Sequence, residues 1–271
     1  MRYLNALFEV YIKGSFHVAL MALCFYQINA FLWVMPTTFS QRLFVFSLVF
    51  VGYNGIRYYP FRPSPKSTPW LYWVLLPCTI PMLLFSLFHF IALSQTAQLL
   101  IFLCFVLSST YVIPLRAVLK NLRSFYGLKI FIVSCCWTLL TGLFPLLESS
   151  AWEGDKIIYL GLYFLLIFVA ILPFEIRDLS HDTTDLGTVP QQLGIKKTRW
   201  LGVLLLFFVL SSSYFILPFE PIEYIALMSM TVAYAILLFK VKPGDSENIT
   251  LFWAEAVPVL GWAILYLNSN T

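Results

Sequence analysis

The chain has 271 residues, 60% of them hydrophobic and 11% charged, with a formal net charge of +4 and a mean hydropathy of +0.84. Soluble domains carry roughly 25% charged residues, so this composition excludes a water-soluble globular fold and indicates an integral membrane protein. The modest positive charge suits anionic lipid headgroups; membrane lipid is the expected partner and nucleic acid is not.

Apolar stretches of about 20 residues match a hydrocarbon core about 30 Å thick. Nine are read in chain order: 14–34, 43–59, 71–91, 97–113, 128–147, 156–175, 199–217, 222–239 and 250–267. The first is followed by Met35-Pro36-Thr37-Thr38 and lacks an Ala-x-Ala cleavage site, so it reads as a retained helix. Pro77 and Pro81 in the third stretch and Pro258 in the ninth predict kinks. The five cysteines all fall inside these stretches, with no Cys-x-x-Cys, and read as packing residues. No Gly/Ser-rich linker divides the chain. The expected fold is an all-α polytopic bundle of about nine transmembrane helices forming one domain, 1–271.

Orientation follows from the basic residues, because Lys and Arg near span ends resist translocation. Nine spans place the N-terminus and the loops after spans two, four, six and eight on one face, and every Lys and Arg except Arg42 and Lys156 falls there. This predicts a multi-pass protein of the inner (plasma) membrane, with the N-terminus cytoplasmic and the C-terminus outside. Two cytoplasmic loops are long, 54–69 and 175–199, and a third, 114–126, is basic.

The second long loop carries Glu175, Asp178, Asp182 and Asp185. Were the helix to continue, these spacings would project all four acids from one face, within about a quarter turn. Acids near a helix C-terminus sit badly with the helix dipole, so a cation must compensate them. Spacing leaves two readings open. Asp178 and Asp182 hold a Mg²⁺ that completes its shell with water and phosphate oxygens, or the loop is solvated and balanced by Arg177, His181 and Lys196. Glu255, the one acid well inside a predicted span, reads either as a structural hydrogen-bonding group or as part of a substrate cavity.

The run Glu175-Ile176-Arg177-Asp178-x-x-x-Asp182, followed by Gly187-Thr188-Val189-Pro190 and Leu193-Gly194, resembles the second aspartate motif of the UbiA superfamily of intramembrane prenyltransferases. The nine-helix count and the position of this loop after span six accord with it. The resemblance implies a UbiA-like bundle around a lipid-facing cavity, with the diphosphate of an isoprenyl donor held at its cytoplasmic mouth through Mg²⁺. The prenyl group would pass to an aromatic or other polar acceptor, with aromatic faces stabilising carbocation character. Asp178 and Asp182 would then be metal ligands, and Asp185, absent from the usual spacing, a substitute ligand.

The chain departs from the family at the first motif, where an Asn is followed four and eight residues later by aspartates. Here Asn54 is followed by Tyr58 and Arg62, and no Asp or Glu occurs from Val10 to Leu147. The loop is basic instead. Arg57, Arg62 and Lys66 either contact phosphate directly, as guanidinium groups do well, or anchor the loop at headgroup level. Tyr111, Pro114, Arg116 and Lys120 resemble the family's next loop more loosely, and Lys129, opening span five, is placed to reach the same cavity mouth. Asn54, Arg57, Arg62, Lys120 and Lys129 are thus the candidate substrate-binding residues, with Asn54 expected to face Asp178 and Asp182. Two function classes follow: a prenyltransferase that binds an isoprenyl diphosphate, and a non-catalytic member that binds lipid or a partner. A transporter lacks its pointer, since no inverted internal repeat is found.

Overall fold

The computed structural model describes residues 2–58, 69–112, 125–147, 154–183 and 186–269, and all its regular elements are helices. They are α1 Arg2–Lys13, α2 Phe16–Leu32, α3 Phe39–Tyr58, α4 Pro69–Ile91, α5 Gln95–Val112, α6 Leu128–Trp137, α7 Phe144–Leu147, α8 Gly154–Asp178, α9 Val189–Leu193, α10 Ile195–Ile216, α11 Pro221–Lys240 and α12 Glu247–Ser269. A π-helical turn, Thr138–Leu143, joins α6 to α7 in one continuous run. Each of the nine predicted stretches coincides with a helix. This follows from the solvent: in hydrocarbon a helix satisfies its backbone polar groups within itself.

Seven described helices are long and apolar enough to cross a membrane: Val74–Ile91, Gln95–Val112, Leu128–Leu147, Asp155–Asp178, Ile195–Ile216, Pro221–Lys240 and Thr250–Asn268. An eighth arises if α1 and α2, bent by 55° at their junction, count as one span. The stretch predicted at 43–59 forms α3, whose polar residues Ser47, Asn54 and Arg57 keep its hydropathy below that of the others. Pro77, Pro81 and Pro258 lie inside helices that run on through them.

The core is built around α2, which is buried on nearly every side from His17 to Ala30, as expected of a helix apolar all round. It packs against α3 on one side and α12 on the other, and α8 packs against α6, α10, α11 and α12. By contrast, α4, α5 and α10 present Leu84, Phe88, Leu99, Phe102, Phe207 and Phe215 outward. Such exposed apolar faces suit contact with lipid.

The predicted loop 175–199 is shorter than expected. Helix α8 runs on to Asp178 and α10 begins at Ile195, so Glu175 is a buried helical residue.

Candidate functional site

The break between α1 and α2 is built by Gly14 and Ser15. A Cβ at Gly14 would lie 2.8 Å from Leu75 Cδ2, and Ser15 adopts φ 65°. Breaking a helix leaves its last carbonyls without partners, and the end of α3 supplies them. Arg57 Nη1 donates to Lys13 O at 2.8 Å and Ile12 O at 3.4 Å, and Tyr58 Oη donates to Lys13 O at 2.7 Å. Asn54 Nδ2 donates to Gly14 O at 3.1 Å and its Oδ1 accepts from Ser15 Oγ at 2.9 Å. Nearby, His17 joins Tyr11 Oη through Nδ1 at 2.8 Å and Phe252 O through Nε2 at 2.9 Å, tying α1, α2 and α12 together. A carbonyl can only accept, so Nε2 carries the proton and, in the neutral ring, Nδ1 accepts from the tyrosine.

The segment after α8 is held against the start of α6. Asp182 N donates to Asp178 O at 2.8 Å, which adds a helical turn beyond the end of α8 and brings Asp182 round to the side of Glu175 and Asp178. Gly187, at φ 54°, lies so close to Tyr126 that a Cβ would sit 2.3 Å from its ring; only glycine meets both demands. Gly127 N then donates to Leu186 O at 2.8 Å. Thr188 begins α9 with its N–H on Gln191 Oε1 at 3.0 Å, and Gly194, at φ 79°, turns the chain into α10. Leu186 and Gly187 therefore dock this loop beside the start of α6, while Gly194 joins α9 to α10.

That docking delivers Lys129, on the first turn of α6, into the acidic face of α8. Its Nζ lies 2.8 Å from Asp182 Oδ2, 3.1 Å from Glu175 Oε1 and 3.8 Å from Asp178 Oδ2. Arg177 takes the other oxygen of Asp178, with Nε and Nη2 each 2.7 Å from Oδ1. The Glu175 side chain is 1% exposed, and its Oε1 meets the ammonium at ion-pair distance without hydrogen-bond alignment. Glu175 Oε2 and Arg177 Nη1 are buried with no hydrogen-bond partner among the described residues. Of the expected counter-cations, Arg177 serves. His181 bonds Ser180 instead, Lys196 is exposed, and Lys129 takes the central place.

A Mg²⁺ held here would need carboxylate oxygens converging at about 2.1 Å. In this arrangement the ammonium stands between those oxygens and the guanidinium holds the remaining one of Asp178, so the described acids do not fit a divalent ion unless Lys129 is displaced. Asp185, Arg62 and Lys120 lie outside the described residues.

An apolar cavity of about 300 Å³ opens between α3, α5 and the α6 run, walled by Tyr53, Ile56, Phe105, Tyr111, Ile132 and Trp137 among others. A Cβ at Gly52, which also lines it, would meet nothing within 4 Å. Lys129 precedes the lining residues Ile132, Val133 and Cys136 at helical spacing, so it heads the α6 face that forms this wall.

Of the predicted residues, Lys129, Asp178 and Asp182 are thus brought together, while Asn54 and Arg57 cap the end of α1. No hydrogen bond or ion pair joins Asn54 to Asp178 or Asp182 among the described residues. Glu255 is buried and makes no hydrogen bond or ion pair with either group among the described residues. Comparison with protein-family models, curated proteins and solved structures yields no match.

Proposed function

We propose that the chain is a divergent UbiA-like intramembrane protein that binds an isoprenyl diphosphate and transfers its prenyl group to an aromatic or other polar acceptor. The observation that carries this reading is the apolar cavity between α3, α5 and α6, headed on its α6 wall by Lys129. A cavity of that kind suits a long unsaturated tail, with a charged head at the Lys129 end. Tyr53, Phe105, Tyr111 and Trp137 line it, and their π faces can stabilise positive charge on an allylic carbon. On this reading α2 and α3 are the eighth and ninth spans, α1 lies at the membrane surface, and the Lys129 end faces the cytoplasm of a cell whose inner membrane holds the protein.

A second reading, a non-catalytic lipid-binding member, is favoured by one specific feature: the polar groups that would work on a diphosphate are committed within the chain. Asn54 and Arg57 hold the end of α1, and Asp178 and Asp182 hold Lys129. The two readings share a ligand and differ in turnover.

Purified protein in detergent, titrated with isoprenyl diphosphates of several chain lengths, separates them. Binding is read from tryptophan fluorescence, since Trp137 lines the cavity, and turnover from mass-spectrometric detection of prenylated product. Gly52→Phe fills the cavity without a clash at its Cβ and is expected to weaken binding by about tenfold or more, the equivalent of roughly 1.4 kcal/mol. Binding unchanged by Gly52→Phe would refute the cavity as the tail site. Binding without product across a panel of acceptors would select the second reading.

A further inference from the structure

We propose that Lys129 is a tethered replacement for a divalent metal: the acidic end of α8 is a closed ion cluster whose cation is supplied by α6. Three carboxylates converge on one point, and that point is filled by Nζ at 2.8, 3.1 and 3.8 Å from their oxygens. The geometry is that of a bound cation and not of a surface pair. Lys129, Glu175 and Asp182 have side chains 11%, 1% and 8% exposed, and Glu175 Oε2 is buried without a hydrogen-bond partner among the described residues.

Charge accounting leads to the same conclusion. Glu175, Asp178 and Asp182 all face Lys129, at a helix C-terminus where the dipole already opposes carboxylates, and removing Lys129 takes one positive charge from them. A divalent ion is one remedy for such a cluster and a lysine is another. They exclude each other, because both need the same oxygens and an ammonium beside a divalent ion is repelled by it. The fold fixes the choice through Gly187 and Gly127, which hold the loop after α8 against the first turn of α6. The cluster therefore needs no metal to persist.

The test is a Mn²⁺ titration of the full chain in detergent without any prenyl ligand, read by electron paramagnetic resonance. Its outcome is thus independent of whether an isoprenyl diphosphate binds. Wild type is expected to take up no Mn²⁺ that depends on Asp178 and Asp182. Lys129→Met keeps the stem and removes the charge, and should gain one site with affinity about tenfold or more above wild type, since the ammonium no longer occupies the point on which the oxygens of Asp178 and Asp182 converge. Adding Asp182→Asn should abolish the gain. Where Lys129→Met alone does not fold, the charge-balanced Lys129→Met/Glu175→Gln serves, because it leaves Asp178 and Asp182 without the ammonium. Mn²⁺ uptake by wild type that is lost in Asp178→Asn/Asp182→Asn would overturn the proposal, as would the absence of any gain in a folded Lys129 variant.

Discussion

Removing the ammonium should be among the most damaging single changes available in this bundle. Lys129→Met retains much of the aliphatic stem, so packing is largely kept and the loss is electrostatic. Its two closest acids are both enclosed, Glu175 at 3.1 Å with a side chain 1% exposed and Asp182 at 2.8 Å with 8%. Asp178, at 3.8 Å and 26% exposed, already has Arg177 and contributes less. Breaking a buried pair by deleting one partner costs about 3–5 kcal/mol, because the remaining charge is left buried and uncompensated. Lys129→Met is expected to fall in that range, and Lys129→Met/Glu175→Gln to recover about half of it, since the more deeply buried acid is then neutral. The assay is denaturant-induced unfolding in mixed micelles, followed by tryptophan fluorescence and arranged as a double-mutant cycle over Lys129 and Glu175. A Lys129→Met protein within about 0.5 kcal/mol of wild type, the range of an ordinary surface change, would refute the claim that this ammonium holds the cluster together.

Asn54→Leu removes the group that satisfies Gly14 O and Ser15 Oγ and should cost about 1–3 kcal/mol through unpaired buried groups. The loss is expected in stability, measured by the same unfolding, and not in the Mn²⁺ response of the Lys129 variants; a selective effect on that response with unchanged stability would contradict the capping role. Gly187→Ala faces both a φ of 54° and a Cβ 2.3 Å from the Tyr126 ring. It should destabilise by about 1–3 kcal/mol or more, with Tyr126→Ala relieving the clash but not the backbone strain. A neutral Gly187→Ala by thermal unfolding would mean that the loop is not docked on α6 as described.

The legible part of this fold was the part dictated by lipid. Each stretch apolar enough to be read as a span became a helix, because the bilayer leaves the backbone few alternatives. The acids at 175, 178 and 182 were also placed on one side correctly, although α8 stops at Asp178 and a single further turn carries Asp182 round. What local reading missed was the identity of the counter-cation. Periodicity reports which side chains share a helix face and is silent about what a distant helix brings to it. Lys129 and Asp182 are 53 residues apart in the chain, and the contact depends on the packing of Gly187 against Tyr126. Asn54 and Arg57 show the converse. Their place at the end of the second predicted span, where the resemblance puts the family's first motif, suggested a ligand role, whereas the carbonyls they meet lack helical partners because the chain breaks at Gly14 and Ser15, with a bend of 55° between two helices.

The missing first-motif acids and the buried lysine are two sides of one charge balance. A metal site shared between two acidic groups works because the ion neutralises both; without acids between Val10 and Leu147, a divalent ion on α8 would have to be balanced by the α8 cluster and its ligand alone. A monovalent cation on a neighbouring helix asks less of the rest of the site. It neutralises part of the cluster, is fixed by the fold, and cannot be lost to a chelator. It also cannot leave to let a metal-bound diphosphate enter without taking the counter-cation from Glu175, whose side chain is 1% exposed. The ion cluster consequently acts as a fixed tie between α6 and α8 at the head of the cavity, where the position of α6 sets the distance between the cavity wall and the chain's own charges.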